Sequence, residues 1–447
     1  MEIEPIIDYG LGNSSYVLDL GDGQCLVIDP ERDPAPYLGA AEDRGLRLRW
    51  VAETHLHADF VSGSRELAAA GANLLAPADS ELAFTHRPIM DGDEIDLGGL
   101  ALQVIATPGH TPEHVAYLLV DGSTPKALFS GGTLMAGGIA RTDLVSPDLT
   151  EELARAAFRS IHQRLLVLPE DLPVFPTHGA GSFCSVAPTG DRVTTIGRER
   201  TDNPLLQITD EDEFVASLLG GLGTYPSYFL RLREVNQSGP VVYGTLPPEL
   251  NRLSADDVEI LIADGAEVID VRPVERFGDG HIRGSLSIEL RSSFATWLGW
   301  VVDPDRPLVF VADPDQDLSS AVRHALNVGY ENLGGYLDGG TDAWAASGRP
   351  LEQIELVGAG EITGDTSLVD VRQHSEWDVE SVPGAINLEV GSIEALLGEV
   401  PPGAVTHCGT GQRAMTAASL IRRAGIADVA ATSAGPTELA RSLTEPA

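Results

Sequence analysis

A cysteine near the C-terminal end of the chain has the surroundings of a reactive thiol. Cys408 follows the short apolar segment 404–407 and precedes a segment of high helix propensity that begins at Arg413. A turn from a strand into a helix points backbone N–H groups and the positive end of the helix dipole at the side chain, and both favour an anion such as a thiolate. The sequence therefore predicts a reactive thiolate in a setting that suits a cysteine persulfide or a bound sulfur oxyanion.

The residues after this cysteine suit the binding of a sulfur anion. Two glycines allow the backbone to fold into a cradle, and an arginine five positions after the cysteine adds a cation. The predicted sulfur-binding loop consists of Gly409, Thr410, Gly411, Gln412 and Arg413. Cys408 and Cys184 both lie in glycine-rich loops, where we expect a thiol to be reachable.

Histidines recur at the ends of predicted strands in the N-terminal half of the chain. His55 and His57 follow the apolar segment 50–52, His110 lies in a tight turn, and His178 follows a further apolar strand. Imidazole is a common ligand of zinc and iron, so this pattern predicts a metal site. His114, four residues after His110, either packs behind the metal ligands or is a surface residue at a helix start, and the second interpretation is favoured.

The elements that must position these residues alternate between strands and helices. Short apolar runs separated by Gly, Asp and Pro turns, with helical patterns at 64–70 and 151–166, predict a layered α/β fold. A repeat follows, in which two Asp-Val-Arg triplets lie 100 positions apart. With a linker at 240–248, the predicted domains span 1–240, 248–350 and 353–447.

Composition narrows the class of protein. The 447 residues carry a formal net charge of −38, which disfavours nucleic acid and anionic membranes as partners. No apolar run is long enough to cross a membrane, and the N-terminus lacks the pattern of a signal peptide, so we expect a cytoplasmic location. Three cysteines do not suggest a disulfide framework. The sequence leaves open whether the chain forms a homo-oligomer.

The C-terminal repeat resembles the rhodanese family. Asp-Val-Arg at 370–372, Val-Pro-Gly-Ala at 382–385 and the six-residue loop from Cys408 to Arg413 carry the resemblance. Cysteine phosphatases of related shape have one more residue between Cys and Arg, so this loop length resembles sulfur transfer. The resemblance implies rhodanese-like α/β domains, with thiosulfate or sulfite as partners. The first repeat has no cysteine and is interpreted as a pseudo-rhodanese.

The N-terminal region resembles the metallo-β-lactamase fold, a four-layer αββα sandwich, and within it the persulfide dioxygenases. Four segments carry the resemblance: Thr-His-x-His-Ala-Asp at 54–59, Thr-Pro-Gly-His-Thr at 107–111, Arg-Thr-Asp at 141–143 and His-Gly-Ala-Gly-Ser at 178–182. In that family two such histidines and an aspartate hold one Fe(II). Gly132 stands where that aspartate is expected, and Phe60 replaces a histidine that commonly follows the first motif.

The resemblance implies roles for further residues. With the carboxylate absent, the predicted ligands of one Fe(II) per chain are His55, His57 and His110. Asp59 and His178 are candidates for a second tier, that is, for residues that contact the ligands and not the metal. Arg141 and Cys184 are predicted to contact the substrate.

Three hypotheses follow. The first is oxidation of a low-molecular-weight persulfide, carried by a glutathione-like thiol, by O2 to sulfite, coupled to rhodanese sulfur transfer. The second is a zinc-dependent thioester hydrolase of the hydroxyacylglutathione hydrolase type. The third is a sulfurtransferase with an inactive N-terminal domain.

Overall fold

The computed structural model describes residues 2–186 and 189–444. The chain divides into two compact units: Met1–Pro247 with Leu326–Gly329, and Pro248–Ala325 with Tyr330–Ala447. Within the described ranges, no helix has the length and apolar character needed to span a bilayer.

The first unit is built on two six-stranded sheets. The strands of the first sheet, in spatial as well as chain order, are β1 (Ile3–Asp8), β2 (Asn13–Asp19), β3 (Gln24–Ile28), β4 (Arg47–Ala52), β5 (Asn73–Pro77) and β6 (Arg87–Ile89). The following strands are β7 (Glu94–Asp96), β8 (Ala101–Ala106), β9 (Val115–Asp121), β10 (Thr124–Gly131), β11 (Ile139–Ala140), β12 (Pro173–Pro176), β13 (Ser185–Val186) and β14 (Thr194–Thr195). The second sheet has the order β14-β12-β10-β9-β8-β7, and β11 pairs separately with β13.

Helices cover the outer faces of both sheets. They are α1 (Ala35–Asp43), α2 (Ser64–Ala69), α3 (Thr150–Ser160), α4 (Ile196–Asp202) and α5 (Glu211–Gly220), and a sixth helix, α6 (Phe229–Ser238), contacts the loop after β4. Alternation along β2 shows how the layers form. Tyr16 and Leu18 face the second sheet, whereas Val17 between them packs under α1 with Tyr37. On the other side, α3 and α5 pack on the outer face of the second sheet. The predicted αββα sandwich is confirmed.

The second unit contains the two repeats, each with a central parallel sheet. The first repeat consists of β15 (Arg252–Leu253), α7 (Ala255–Ala263), β16 (Glu267–Asp270), α8 (Val274–Asp279), β17 (Leu286–Ser287), α9 (Phe294–Val301), β18 (Leu308–Val311), α10 (Leu318–Asn327), β19 (Leu333–Leu337) and α11 (Gly340–Ala346). The second consists of β20 (Leu368–Asp370), α12 (His374–Val379), β21 (Ile386–Asn387), β22 (Ala404–His407), α13 (Gln412–Arg423), β23 (Val429–Ala431) and α14 (Pro436–Thr444). The strand orders are β15-β19-β18-β16-β17 and β21-β20-β22-β23.

Candidate functional site

Three loops of the first unit bring four histidines together. His55 and His57 follow β4, His110 follows β8, and His178 follows β12. None of the four side chains is more than 2% exposed. Isolated histidines are seldom buried in this way, so a cluster of four at the end of a sandwich indicates a functional site.

Three of these rings direct the same nitrogen at one point. One ring nitrogen from each of His55, His110 and His178 lies within 4.8 Å of the other two, and the Nε2 atoms of His55 and His178 are 3.3 Å apart. Two nitrogens bound to one zinc ion at about 2.1 Å in tetrahedral geometry would be about 3.4 Å apart. The His110 Nε2 atom is buried and has no hydrogen-bond partner among the described residues. The observed spacing fits a single metal ion.

Hydrogen bonds fix the tautomer of each ring. A hydrogen-bond acceptor stands at every Nδ1, which places the proton there and leaves the Nε2 lone pair free to coordinate. The Nδ1 partners are Thr54 Oγ1 for His55 at 2.8 Å, the Arg141 carbonyl for His110 at 2.6 Å and Asn13 Oδ1 for His178 at 2.9 Å. Three lone pairs that converge without a proton between them repel one another unless a cation lies among them. The donor set therefore fits a metal cation.

The protonation of two of these rings agrees with this interpretation. Burial and the neighbouring histidines hold the pKa of His55 well below its usual range. Burial and the nearby His178 lower the pKa of His110 to about 3. Both rings are therefore neutral near pH 7, and neutral imidazole is the form that binds metals.

His57 lies outside this group of three but belongs to two further candidate metal groups, one with Asp29 and His55 and one with Asp59 and His178, and its buried Nδ1 has no hydrogen-bond partner among the described residues. Its Nε2 lies 3.1 Å from a Glu53 carboxylate oxygen and 3.4 Å from Asp29, and its ring stacks on Phe60 at 4.2 Å. Burial opposes a charge on His57, but the two carboxylates outweigh it and raise its pKa to about 10. A protonated ring cannot coordinate through the nitrogen that carries the proton. The geometry favours His178 in its place.

Asp29 is a site residue that the sequence analysis missed. It directly follows β3 and has a positive φ of 48°. Its carboxylate accepts hydrogen bonds from the Thr54 backbone N–H and from the Thr54 hydroxyl, both at 2.7 Å. Thr54 in turn contacts His55 Nδ1. Asp29 thus links the orientation of His55 to the charge on His57. An acidic residue directly after the apolar run 25–28 was the available signal.

Asp59 lies behind His178. Its carboxylate accepts from Asn13 Nδ2 at 2.9 Å and lies 3.3 Å from His178 Nδ1. It therefore orients the ring whose Nε2 faces the other two histidines, which is consistent with a second-tier role for Asp59.

His114 is buried, so its interpretation as a surface residue was wrong. Its ring stacks on His55 with centroids 4.8 Å apart, and its Nε2 accepts a hydrogen bond of 2.9 Å from the Gly132 N–H. A Cβ on Gly132 would lie 2.8 Å from His110 Cδ2 and 2.9 Å from Ala140 Cβ. The space next to Gly132 is therefore filled by the His110 ring and the Ala140 methyl group.

This crowding makes Gly132→Asp a damaging change. We expect it to displace His110, to weaken metal binding at least about 10-fold, and to cost about 2 kcal/mol of unfolding free energy through overpacking. Metal titration and urea unfolding measure both effects. Gly39→Asp is the control, because a Cβ there has nothing within 4 Å. Tighter metal binding in Gly132→Asp would contradict this expectation.

Helix α6 holds the backbone of the loop that carries His55 and His57. Asn236 Nδ2 donates to the carbonyls of His57 and Phe60 at 2.8 and 2.9 Å, and its Oδ1 accepts from the Ser62 N–H at 2.8 Å. Two further contacts come from the same helix region: Tyr228 donates to the Asp59 carbonyl, and Arg233 pairs with Glu113, which accepts from the Leu56 N–H. This part of the chain was not recognised from the sequence.

Asn236→Leu should therefore destabilise the first unit. The change preserves side-chain size but leaves three buried backbone groups without partners, which we expect to cost about 3–5 kcal/mol in urea unfolding. Glu234→Ala, on the exposed face of the same helix, is the control and should change the unfolding free energy by less than about 0.5 kcal/mol. Equal effects of the two changes would exclude this role for Asn236.

The two predicted substrate contacts are both engaged with the protein itself. Arg141 pairs with Asp143 at 2.7 Å, donates to the carbonyls of Phe183 and Gly223, and lies over the Tyr225 ring at 4.4 Å. Its guanidinium has little capacity left for a substrate.

Cys184 is fully buried, which corrects the expectation of a reachable thiol. Burial and the charge of Asp59 hold its pKa well above the usual range. A thiol that stays protonated is a poor sulfur acceptor.

The Cys408 loop lies where the sequence predicted it, between β22 and α13. Cys408 Sγ accepts a hydrogen bond of 3.2 Å from the Gly411 N–H. Gly411 has a φ of +84°, and a Cβ there would lie 3.0 Å from Ser433 Cα, so the turn requires glycine. Cys408 is only 1% exposed, whereas Gly409 and Thr410 are exposed. The expectation of a reachable thiol is therefore not met at Cys408 either, although the loop beside it is exposed.

Arg413 and Gln412 face neighbours outside the loop. Arg413 pairs with Glu376 at 2.9 Å and lies 5.6 Å from the Trp297 ring of the first repeat, so its charge is already balanced. Gln412 Nε2 donates to Glu289 of the first repeat at 3.2 Å. The first repeat thus contributes side chains beside the loop. Its own counterpart loop after β18 carries Asp313 and no cysteine.

Comparisons with known proteins agree with this architecture. The profile of the family "Metallo-beta-lactamase superfamily" matches residues 8–178, and that of "Rhodanese-like domain" matches 254–347 and 353–440. The human protein "Persulfide dioxygenase ETHE1, mitochondrial" is 33% identical over 213 residues, 46% of this chain and 76% of that protein. A "Hydroxyacylglutathione hydrolase" of Methylobacillus flagellatus is 38% identical over 181 residues, 40% of this chain and 66% of that protein.

A solved structure matches over more of the chain. A metallo-beta-lactamase from Staphylococcus aureus superposes with a TM-score of 0.65 at 29% identity, covering 75% of this chain and 98% of that one. Together with the αββα sandwich and the histidine loops, these matches establish the family. The chain belongs to the metallo-β-lactamase superfamily, has persulfide dioxygenases among its homologues, and carries two rhodanese-like domains.

Proposed function

We propose that the first unit oxidises a low-molecular-weight persulfide with O2 to sulfite, using one iron ion held by His55, His110 and His178. The observation that carries the proposal is the convergence of three Nε2 atoms, each with an acceptor at Nδ1. Similarity to persulfide dioxygenases supports the choice of substrate. The overall reaction is RSSH + O2 + H2O → RSH + SO3²⁻ + 2H⁺.

The protein's contribution is a dry and pre-oriented donor set. An iron bound there would supply open coordination positions for the persulfide sulfur and O2. Thr54, Asn13 and the Arg141 carbonyl fix the three rings, and burial keeps water from competing with the substrate. All three proposed ligands are neutral, so the anionic persulfide would be the negatively charged ligand of a cation bound there.

We further propose that Cys408 transfers sulfane sulfur. Its thiolate attacks the outer sulfur of thiosulfate, the S–S bond breaks, and sulfite leaves while Cys408 carries a persulfide. A thiol or cyanide then takes the outer sulfur and regenerates the thiolate. The Gly411 N–H at 3.2 Å stabilises the anion before and after transfer. Run in reverse, the same step joins sulfite made by the first unit to the outer sulfur of the Cys408 persulfide, so one reaction links the products of the two units.

A zinc-dependent thioester hydrolase is the second candidate. Three histidines also hold zinc in hydrolytic enzymes, and a hydroxyacylglutathione hydrolase is among the relatives. The purified protein distinguishes the two through its metal content and its O2 uptake with glutathione persulfide. Iron, and one sulfite formed per O2 consumed, supports oxidation. Zinc with hydrolysis of a glutathione thioester, and no O2 uptake, contradicts it.

A further inference from the structure

A cavity of about 480 Å³ lies in the second unit, on the side of the sheets that faces away from the Cys408 loop. The segments of the first repeat that line it lie at the amino ends of β16, β17 and β18, whereas Cys408 follows the carboxyl end of β22. The second repeat contributes Glu394 and Arg423, the last residue of α13. The volume is within the range of small-molecule pockets. Neither the histidine group nor the Cys408 loop takes part in this cavity.

Charged side chains of both signs form the polar part of the cavity wall. They are the arginines Arg283, Arg306 and Arg423 and the carboxylates Glu267, Asp303 and Glu394. The Glu267 side chain is only 8% exposed, and it accepts hydrogen bonds from Arg306 at 2.7 Å and from Arg423 at 2.8 Å. One guanidinium from each repeat is therefore held in place before a ligand arrives, which lowers the entropic cost of binding.

Much of the hydrogen-bonding capacity of this wall is unused. Arg283 makes no hydrogen bond among the described residues, and its ion-pair partner Glu352, at 3.5 Å, lies outside the wall. Arg306 uses one of its five N–H donors within the protein. Glu394 accepts from Arg423 through Oε1 at 2.7 Å, and its Oε2 has no hydrogen-bond partner in the described ranges. The wall thus offers donors to an anion and an acceptor to a cation.

The balance of charges indicates the class of ligand. Three arginines and three carboxylates cancel, so the wall as a whole attracts neither a polyanion nor a polycation. A ligand with one charge of each sign at separate ends can pair with both kinds of group. Ile262, Val268 and Val301 supply apolar surface for the part of the ligand that joins the two ends.

From this arrangement we infer that the cavity binds a short peptide as a zwitterion, with its carboxylate on Arg283 and Arg306 and its ammonium group on Glu394. The size of the cavity suits a peptide of about two or three residues better than a single amino acid. The site is separate from both reactions proposed for the chain, so it stands or falls independently of them.

Three forms of triglycine test this site: the free peptide, the N-acetylated peptide, which lacks the ammonium group, and the C-terminal amide, which lacks the carboxylate. Their dissociation constants are measured by calorimetry on the full-length protein at low ionic strength. We expect free triglycine to bind at least about 10-fold more tightly than either blocked form, as for the loss of one charge-assisted hydrogen bond. Acetylated triglycine that binds as tightly as the free peptide would indicate a simple anion site and overturn the inference.

Two variants assign the contacts. Arg283→Gln should lower the preference for the free peptide over the amide to less than about threefold, and Glu394→Gln should do the same for its preference over the acetylated form. Arg276→Gln and Glu399→Gln change exposed residues outside the cavity wall and should leave both preferences intact. No binding of millimolar triglycine to the wild type, or unchanged preferences in Arg283→Gln and Glu394→Gln, would also overturn the inference.

Discussion

His178→Ala will remove the metal from the first unit. His178 supplies one of three converging Nε2 atoms, so its loss leaves two neutral ligands, which we expect to lower metal affinity by more than about 100-fold. O2 uptake with glutathione persulfide should fall at least as far. The measurement is metal content after dialysis against a weak chelator, together with O2 consumption. Thiosulfate:cyanide sulfur transfer should continue, because Cys408 lies in the other unit.

His57→Ala is the informative comparison. His57 contacts Glu53 and Asp29, so we expect this variant to retain its metal. It should instead lose about 3–5 kcal/mol of unfolding free energy, because two buried carboxylates lose their cation. Should His57→Ala lose the metal and His178→Ala retain it, the ligand set expected from the sequence motifs would be correct.

Cys408→Ser will abolish sulfur transfer. Serine cannot form a persulfide, so the thiosulfate:cyanide rate should fall by at least about 1,000-fold, to background. O2 uptake by the first unit should be within about twofold of the wild type. The readouts are thiocyanate formation and O2 consumption on the same preparation.

Cys184→Ala is the matched control for Cys408→Ser. Its thiol is buried and kept protonated beside Asp59, so we expect both activities to persist. Loss of O2 uptake in Cys184→Ala would restore the predicted role of this thiol near the substrate. Loss of both activities in Cys408→Ser would contradict the separation of the two reactions between the two units.

The parts of the molecule that depend on local sequence were predictable. Successive side chains of β2 face opposite sides of the sheet, and this alternation can be read from the two-residue period of a strand. The strand-to-helix turn at Cys408 can be read from the glycines that follow it, because the turn needs a backbone conformation that glycine adopts easily. The family motifs also led to both rhodanese-like domains and to the αββα sandwich, as the comparisons bear out.

The orientation of the histidines was not predictable in the same way. The spacing of His55 and His57 does not reveal which ring faces the metal, because that depends on Asp29 and Glu53, which reach His57 only in the folded sheet. The sequence shows that position 132 has no carboxylate. It does not show that the ring of His110 fills the space beside Gly132 in the folded protein. Long-range packing decides both points.

A crystal structure of the iron-loaded protein, with anomalous scattering measured at the iron and zinc edges, tests the three-histidine centre most directly. We predict one iron peak about 2.1 Å from the Nε2 atoms of His55, His110 and His178, with His57 still bound to Glu53. A peak coordinated by His57 in place of His178, or the absence of an iron peak among the three Nε2 atoms, would contradict the account.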